Sequence, residues 1–454
     1  MRTWKIGIVG GGPGGLFTAY ALQKRANHPY ELTMFEASSR LGGKILTPQF
    51  HAAPVRYEAG AAEFYDYSHF EEDPLKELIA ELGLPIARMG GSAVIVDQQV
   101  IAHQDDMRDR LGTAEWRDLL RFDLAARNRM TPQEFYHSDH PEGSAHAADA
   151  STFTTLLDEF SEQRTRDFVT TLIHSDLATE PHHTNHTYGL HNYLMNDPAY
   201  MQLYGIEGGN ERLPQELAAR IVGTKLLEHT VERVQRGADG RLRVQATHGG
   251  EHTEHAFDFV VIALPHNHLR SVKYAGDRLS PAVEDHIDYY DYPAHYLRIS
   301  LLFESRFWES RLTDSYWMLD HFGGCCLYDE SSRTPGLKQG VLGWLLAGDA
   351  AEQMSQQSDA ELMEAALQSL PDFLADGREQ LLEGQVHRWI RSVNAMPGGV
   401  APRSLDRRHQ PEPIEHPHLM FVGDYMFDST LNGVVDSSEY VAGWIAALTS
   451  EYNA

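Results

Sequence analysis

A glycine loop set between a short apolar run and a helical stretch constrains this chain more than any other feature. Residues 4–9, WKIGIV, are rich in Ile and Val and read as a buried strand, which GGGPGG breaks at once. LFTAYALQKR then carries apolar residues at helical spacing, and YELTMFE reads as a second strand. Strand, glycine loop, helix and strand form the opening βαβ unit of a dinucleotide fold. Gly10, Gly12 and Gly15 satisfy G-x-G-x-x-G at that junction, with Pro13 and Gly14 between them. The first glycine permits the tight turn, the second lets backbone approach a pyrophosphate, and the third lets helix and strand pack closely. Helix N-terminal amides then face the phosphates. Glu36, followed by Ala37, closes the second strand where a ribose hydroxyl needs a carboxylate acceptor.

At 454 residues the chain is too long for one ordinary core, and two or three domains are expected. Helical periodicity with many aromatics and histidines runs from about 75 to 204, and residues 135–150 are small and polar, as in an exposed loop. Strand alternation returns in KLLEHTVERVQRGADGRLRVQAT, where ADG supplies a turn, and again in FDFVVIALP and HLMFVGD. The chain thus leaves one domain and returns to it twice.

Thirty-eight Lys and Arg against 65 Asp and Glu give a net charge of -27, which repels phosphate polymers and favours cationic ligands. Nucleic acid is excluded as a partner on that ground, although acidity for solubility alone explains the charge as well. Cys325 and Cys326 are the only cysteines, and sequence neighbours rarely reach disulfide dihedrals. A reducing, cytoplasmic setting is expected, since the N-terminus also shows no export signal. No run approaches the length of a membrane span, and YVAGWIAAL reads as a terminal docked helix. Four histidines gather in PHHTNHTYGLH, His182 and His186 at i, i+4 spacing, with no carboxylate between them and no cysteine nearby, so no metal is expected. Tyr188, His191 and Tyr193 can line a cavity as one face of a strand, or simply pack.

Beyond Glu36 stand Arg40, Leu41, Gly42, Gly43 and Lys44, an extension that lays backbone and positive charge against a phosphate or a ring. With it, the sequence resembles the flavin monoamine oxidase family, and the resemblance recurs from end to end. RYEAGAAEF at 56–64 resembles the segment lining the flavin, with Gly60, Ala61, Ala62 and Glu63 the matching positions. GIEGGNERLPQELA, the strand beginning at Val231, and FVVIALPHNHL resemble further family segments, Val231 standing where adenine is touched. HLMFVGDYMFDSTLNGVVDSSEYVA resembles the strand, Gly-acid pair and helix that close over the cofactor, which assigns Gly423, Asp424, Leu431 and Val434 to it.

The resemblance implies an α/β fold in which a Rossmann-type FAD-binding domain, 1–75, 205–270 and 385–454, is interleaved with a mixed α+β substrate-binding domain, 76–204 and 271–384. It implies hydride transfer from the carbon beside an amine nitrogen to FAD, an imine product, and O2 as acceptor, with a homodimer among the expected assemblies. Covalent attachment in the family uses a Cys before the last segment, and none follows Cys326, so non-covalent FAD is expected.

Several positions depart from the family pattern. Counting ten residues back from Trp308 of the Phe307-Trp308 pair, where the family has a Lys, gives Arg298, which can stabilise charge but cannot act as a base. A strand residue in an ion pair is the other reading of Arg298. Thr430 stands where many members have one of two substrate-framing aromatics, and the second, expected near Asn394 to Met396, is missing too. Trp389 remains as a wall beside the flavin or as a core residue. Glu63 stands where some amino-acid oxidases have an Arg for the substrate carboxylate, and suits an ammonium or a partner within the protein. An FAD-dependent desaturase or dehydrogenase, and a flavin-binding protein without turnover, are the alternative functions.

Overall fold

The computed structural model describes residues 2–68, 72–91, 93–136, 151–334, 336–394, 403–427 and 429–451. From residue 137 on, the expected loop at 135–150 lies outside them, as do Ala395 and Met396 of the expected aromatic position.

The chain forms two compact units. The first comprises Met1–Ile45, Glu211–Asp291 and Arg403–Ala454. Its centre is a five-stranded, wholly parallel sheet in the order Leu419–Phe421, Phe259–Ile262, Trp4–Val9, Tyr30–Phe35, Thr224–Leu226. All four residues of Phe259–Ile262 are buried, as a strand covered on both faces requires. The helices Pro13–Arg25 and Leu431–Glu451 pack together, Ser438 Oγ donating to Gly14 O at 3.2 Å. A second sheet of four strands holds Thr230–Arg236, Leu242–His248, Glu251–Phe257 and Lys273–Ala275.

The second unit comprises Leu46–Asn210 and Tyr292–Pro402. A mixed seven-stranded sheet runs Leu381–Asn394, Pro293–Phe303, Gly340–Ala347, Cys325–Asp329, Tyr316–Leu319, Val94–Val96, Gln99–Ile101. Alternation along Pro293–Phe303 divides its side chains: Leu297, Ile299 and Leu301 join an apolar core with Trp308, Trp317 and Trp344. Tyr296 and Arg298 project to the other face, where Tyr296 packs on a second core built with the helices Thr113–Arg129, Gln163–Leu177 and His186–Leu194.

The boundaries differ from those expected at 75, 205, 270 and 385, and packing explains why. Phe50, Val55, Tyr57 and Ala59 pack on Leu302 and Val341 of the seven-stranded sheet, and Phe64–Asp66 pairs with Gln202–Ile206, so 46–75 belongs to the second unit. Residues Leu381–Asn394 are its edge strand, antiparallel to Pro293–Phe303. Val272, Tyr274, Leu279, Val283 and Ile287 pack instead among Val9, Phe35 and Val260, which brings 271–291 into the first unit.

Tyr188, His191 and Tyr193 lie on a helix rather than on a strand. His191 stacks on Phe135 with centroids 3.8 Å apart, and burial drives its pKa down to about 3, so it is a neutral packing residue. Among the described residues no helix is long and apolar enough to cross a membrane.

Candidate functional site

In the first unit the strand Trp4–Val9 ends at Gly10, whose φ of +109° suits glycine and whose Cβ would fall 2.4 Å from Ala263 O. A Cβ on Gly15 would sit 2.0 Å from Gly10 O, so the third glycine is what lets the helix start against the turn. Gly12 differs: its Cβ would meet only Gly43 Cα, at 3.8 Å, and the space above it is open. Pro13 occupies the first turn, no side chain caps this thirteen-residue helix, and its first turn holds no acid. Unsatisfied amides and a positive helix end therefore face that space, which fits a phosphate.

Glu36 Oε2 accepts from Gly11 N at 2.8 Å, while Oε1 accepts from Ser38 N at 2.8 Å and Ser38 Oγ at 2.6 Å. A carboxylate has about four acceptor positions, so Oε2 retains one for a hydroxyl. Ala37 beyond it is exposed. Arg40 is committed to its own loop, donating to Leu41 O and Ile45 O at 3.3 Å and to Gly43 O, with Glu211 at 3.7 Å. It shapes the turn at Gly42 and Gly43, and Gly42 N donates to Gly11 O at 2.8 Å. Lys44 Nζ lies 3.4 Å from Asp424 Oδ2, which brings the N-terminal motif to the last one. Gly423 N donates to Ser437 Oγ at 3.2 Å. Val434 is buried within reach of Gly14, and half-buried Leu431 opens the final helix. Thr430 Oγ1 accepts from Gly433 N at 3.3 Å, so this side chain caps that helix. Val231 is buried in the core of the second sheet beside Val234 and Ala246.

The second unit holds a buried charge cluster. Arg298, wholly buried, donates through Nε to Glu58 O and through Nη2 to Glu330 Oε1, both at 2.5 Å, and lies 5.0 Å over the Tyr328 ring. Glu330 Oε2 in turn accepts from Glu58 N at 2.6 Å. Glu58 accepts from Thr47 Oγ1 at 2.8 Å and Asn210 N at 2.9 Å, with Arg333 Nη1 at 3.2 Å. Burial nevertheless raises its carboxyl to about 7.

Glu63 Oε2 is shielded from solvent with no hydrogen-bond partner. Burial raises the Glu63 pKa, and the charge of Arg298 draws it part of the way back. Its neighbour Ala62 packs in one cluster with Tyr65, Tyr188, Tyr296, Tyr316, Tyr328 and Cys326. Asp176, near the end of the helix Gln163–Leu177, faces the same tyrosines: its charge and that of Glu63 both raise Tyr65, Tyr296 and Tyr316, after burial itself. Burial and then Glu63 push Asp176 to about 7 against one hydrogen bond, from Asn196 Nδ2 at 3.3 Å. Trp389 Nε1 donates to Ala59 O at 2.6 Å opposite Tyr296, and Ala61 O accepts from Asn210 Nδ2 at 2.9 Å beside half-buried Gly60.

Four carboxyl groups, Glu58, Glu63, Asp176 and Glu330, thus accompany two guanidiniums. Arg333 and Arg298 serve Glu58 and Glu330, and among the described residues no Lys, Arg or His forms an ion pair with Glu63 or Asp176. Sequence reading found Glu63 and Arg298 but not Glu58, Asp176, Glu330, Arg333 or the tyrosines. No motif or spacing in the sequence marks Asp176.

One unit with a glycine-cradled dinucleotide fold and another with a buried acid and tyrosine cluster define an oxidoreductase that works through a dinucleotide cofactor. The chain belongs to the family of flavin containing amine oxidoreductases, whose model matches residues 13–446, and is a flavoprotein. Cyclohexylamine oxidase from Brevibacterium oxydans IH-35A superposes with a TM-score of 0.74 over 99% of this chain and 100% of its own, at 20% identity. Putrescine oxidase bound to putrescine gives 0.73 over 98% and 99%, at 19% identity. At such identities the likeness is one of fold. Coproporphyrinogen III oxidase of Mycobacterium tuberculosis (strain ATCC 25618 / H37Rv) is 34% identical over 95 residues, 20% of each chain. Polyamine oxidase 3 of Oryza sativa subsp. japonica is 33% identical over 94 residues, 20% of this chain and 18% of its own. These alignments span about a fifth of the curated relatives' length.

Proposed function

We propose that this protein oxidises a small amine at the carbon beside nitrogen, using FAD held without a covalent bond and O2 as acceptor. The observation that carries the reading is the pair Glu63 and Asp176, two carboxyls without a counter-cation among buried tyrosines. Carboxylates in that setting attract an ammonium and reject a carboxylate substrate. Amino acids and propionate-bearing tetrapyrroles are disfavoured for the same reason, although oxidases of both cyclohexylamine and coproporphyrinogen III are among the similar proteins.

When bound, FAD supplies the hydride acceptor. The Gly10–Gly15 turn and the open helix end would hold its pyrophosphate, and Glu36 Oε2 a ribose hydroxyl. Gly60, Ala61, Ala62, Val231, Gly423, Asp424, Leu431 and Val434 complete the proposed contacts. The reacting nitrogen must be neutral to release hydride, and the buried tyrosine walls favour its neutral form by desolvation. Arg298 remains charged, takes no proton from the substrate, and is held by Glu330. Trp389, fixed through Ala59, would wall the amine.

Anaerobic mixing with a panel of alkylamines, arylalkylamines, diamines and amino acids, followed at the flavin band, tests this reading. Bleaching by amines and not by amino acids is expected. A flavin that no amine bleaches overturns it. Acid precipitation should release the yellow colour into the supernatant; colour kept in the pellet excludes non-covalent binding.

A further inference from the structure

Near its end the helix Gln163–Leu177 carries a histidine held at both ring nitrogens. His174 is buried, with Nδ1 2.9 Å from Gly324 O and Nε2 2.9 Å from Glu180 Oε1. A carbonyl only accepts, so Nδ1 carries a hydrogen; an ionised carboxylate only accepts, so Nε2 carries one too, and a ring with both is an imidazolium. Burial pushes the His174 pKa down, but the hydrogen bond and charge of Glu180, the Gly324 carbonyl and the charge of Asp349 outweigh it and raise it. Glu180, raised by burial, is brought below the ordinary range by His174 and by Asp349 N, which donates to Oε1 at 3.1 Å; His182 lowers it further. On the strand Pro293–Phe303, His295 stands 3.9 Å from Glu352 and accepts from Arg391 N at 3.2 Å. On the loop before Cys325–Asp329, Asp320 accepts from Asp97 N at 2.8 Å and the His321 ring lies 6.0 Å from Phe322.

The surroundings are fitted to this pair. A Cβ on Gly348 would fall 2.5 Å from Glu180 Oε1, and one on Gly324 3.0 Å from His174 Cβ. The same helical turn meets the seven-stranded sheet at further points. The Tyr296 hydroxyl donates to Ser175 O at 2.9 Å, Ser175 Oγ donates to Leu345 O at 3.4 Å, and Ala178 O accepts from His295 N at 2.9 Å and Gly348 N at 3.2 Å. Of the side chains in these contacts, His174 is the one whose charge changes near neutral pH.

We propose that His174 is a positioning residue whose proton fixes the last turn of Gln163–Leu177 against the sheet and so holds Tyr296 in the wall of the amine site. The clamp stands on geometry, and its part in the reaction rests on the amine reading above. Losing the proton replaces a charge-assisted bond with a lone pair facing a carboxylate, so the turn opens more often and the rate falls. The contribution is full below the ordinary histidine value of about 6.5 and is lost as pH rises through the higher folded value.

The test applies three measurements to the flavin-loaded enzyme: histidine-selective nitrogen NMR, with His174 assigned by its loss in His174→Gln; hydrogen exchange of the segment Thr170–Glu180 by mass spectrometry; and anaerobic flavin reduction at saturating amine. Wild type should keep both His174 nitrogens protonated at about pH 7.5, where an ordinary histidine is about nine-tenths neutral. The NMR transition above that pH should coincide with a loss of protection and a fall in limiting rate, at one pH for amines of different basicity. Glu180→Gln removes the counter-charge and should move all three transitions down by about one pH unit or more. A merely structural histidine would leave protection and rate flat across its titration. A neutral ring at about pH 7.5, or transitions that do not move together in Glu180→Gln, overturns the proposal. Should no amine bleach the flavin, the amine reading falls by itself, and coincidence of the NMR and exchange transitions upholds the clamp while their separation overturns it.

Discussion

Arg298 Nη2 and Glu330 Oε1 lie 2.5 Å apart, with neither side chain reaching solvent. Such a pair attracts strongly in a poorly polarisable interior, but its members were costly to desolvate, so the informative experiment removes one charge and then both. Arg298→Met alone should lose about 3–5 kcal/mol, because Glu330 is left buried without its cation. Arg298→Met with Glu330→Leu should regain part of that loss. Denaturant unfolding of the single and double variants measures both, and a double variant weaker than the sum of the singles would contradict the argument.

Gly12 and Gly15 belong to one motif yet should fail in different ways. A methyl at Gly15 meets Gly10 O at 2.0 Å, a clash with backbone that the protein suffers with or without cofactor. One at Gly12 meets nothing closer than 3.8 Å and only fills the space a pyrophosphate would use. Gly15→Ala should lower the melting temperature of the apoprotein, while Gly12→Ala should leave it near wild type and lower the flavin-to-protein absorbance ratio. Equal behaviour of the two would show that the second glycine is not there for close approach.

The dinucleotide unit was legible because its signals are local: strand, glycine loop, helix and Glu36 stand within about thirty residues, and each residue type answers a short-range steric or hydrogen-bond demand. The acid and tyrosine cluster was not, because nothing in the sequence near Glu63 announces Asp176 or Tyr328. The seven-stranded sheet and the helix Gln163–Leu177 bring them together from far along the chain. Arg298 shows the middle case. Counting from Trp308 found the residue, and its alternative reading as an ion-paired strand residue describes its contacts, but the partners Glu330 and Glu58 carry no spacing that would identify them. Domain boundaries were misjudged at 46–75 since its residues read as a continuation of the first motif, and only packing on Leu302 and Val341 assigns them elsewhere.

Thr430 does the work of a cap at the start of the final helix. Its Oγ1 accepts from Gly433 N, satisfying one of the free amides of the final helix. Thr430→Ala should cost about 1 kcal/mol, and Thr430→Ser should cost little, since the hydroxyl is kept. Melting temperatures of the two variants decide; equal losses would mean that the methyl, not the hydroxyl, matters.

Asp176 should also be visible in the pH dependence of stability. Burial pushes its carboxyl up to about 7 in the folded protein, against an ordinary aspartate value of about 3.9, so between these pH values the native state keeps a proton that the unfolded chain has released. Stability from this group is therefore full at low pH and declines as pH rises to about 7. Glu58, raised to about 7, adds a decline in the same direction. His191 and His409, held neutral by burial with values near 3 and 4, act oppositely: their contribution is lost as pH falls below the ordinary histidine range. The total curve mixes these slopes, and the difference between wild type and Asp176→Asn isolates one of them. Unfolding free energies at about pH 5 and about pH 8 should show the variant gaining on wild type at the higher pH. A difference that is flat, or that runs the other way, would mean that Asp176 is charged in the folded protein across this range.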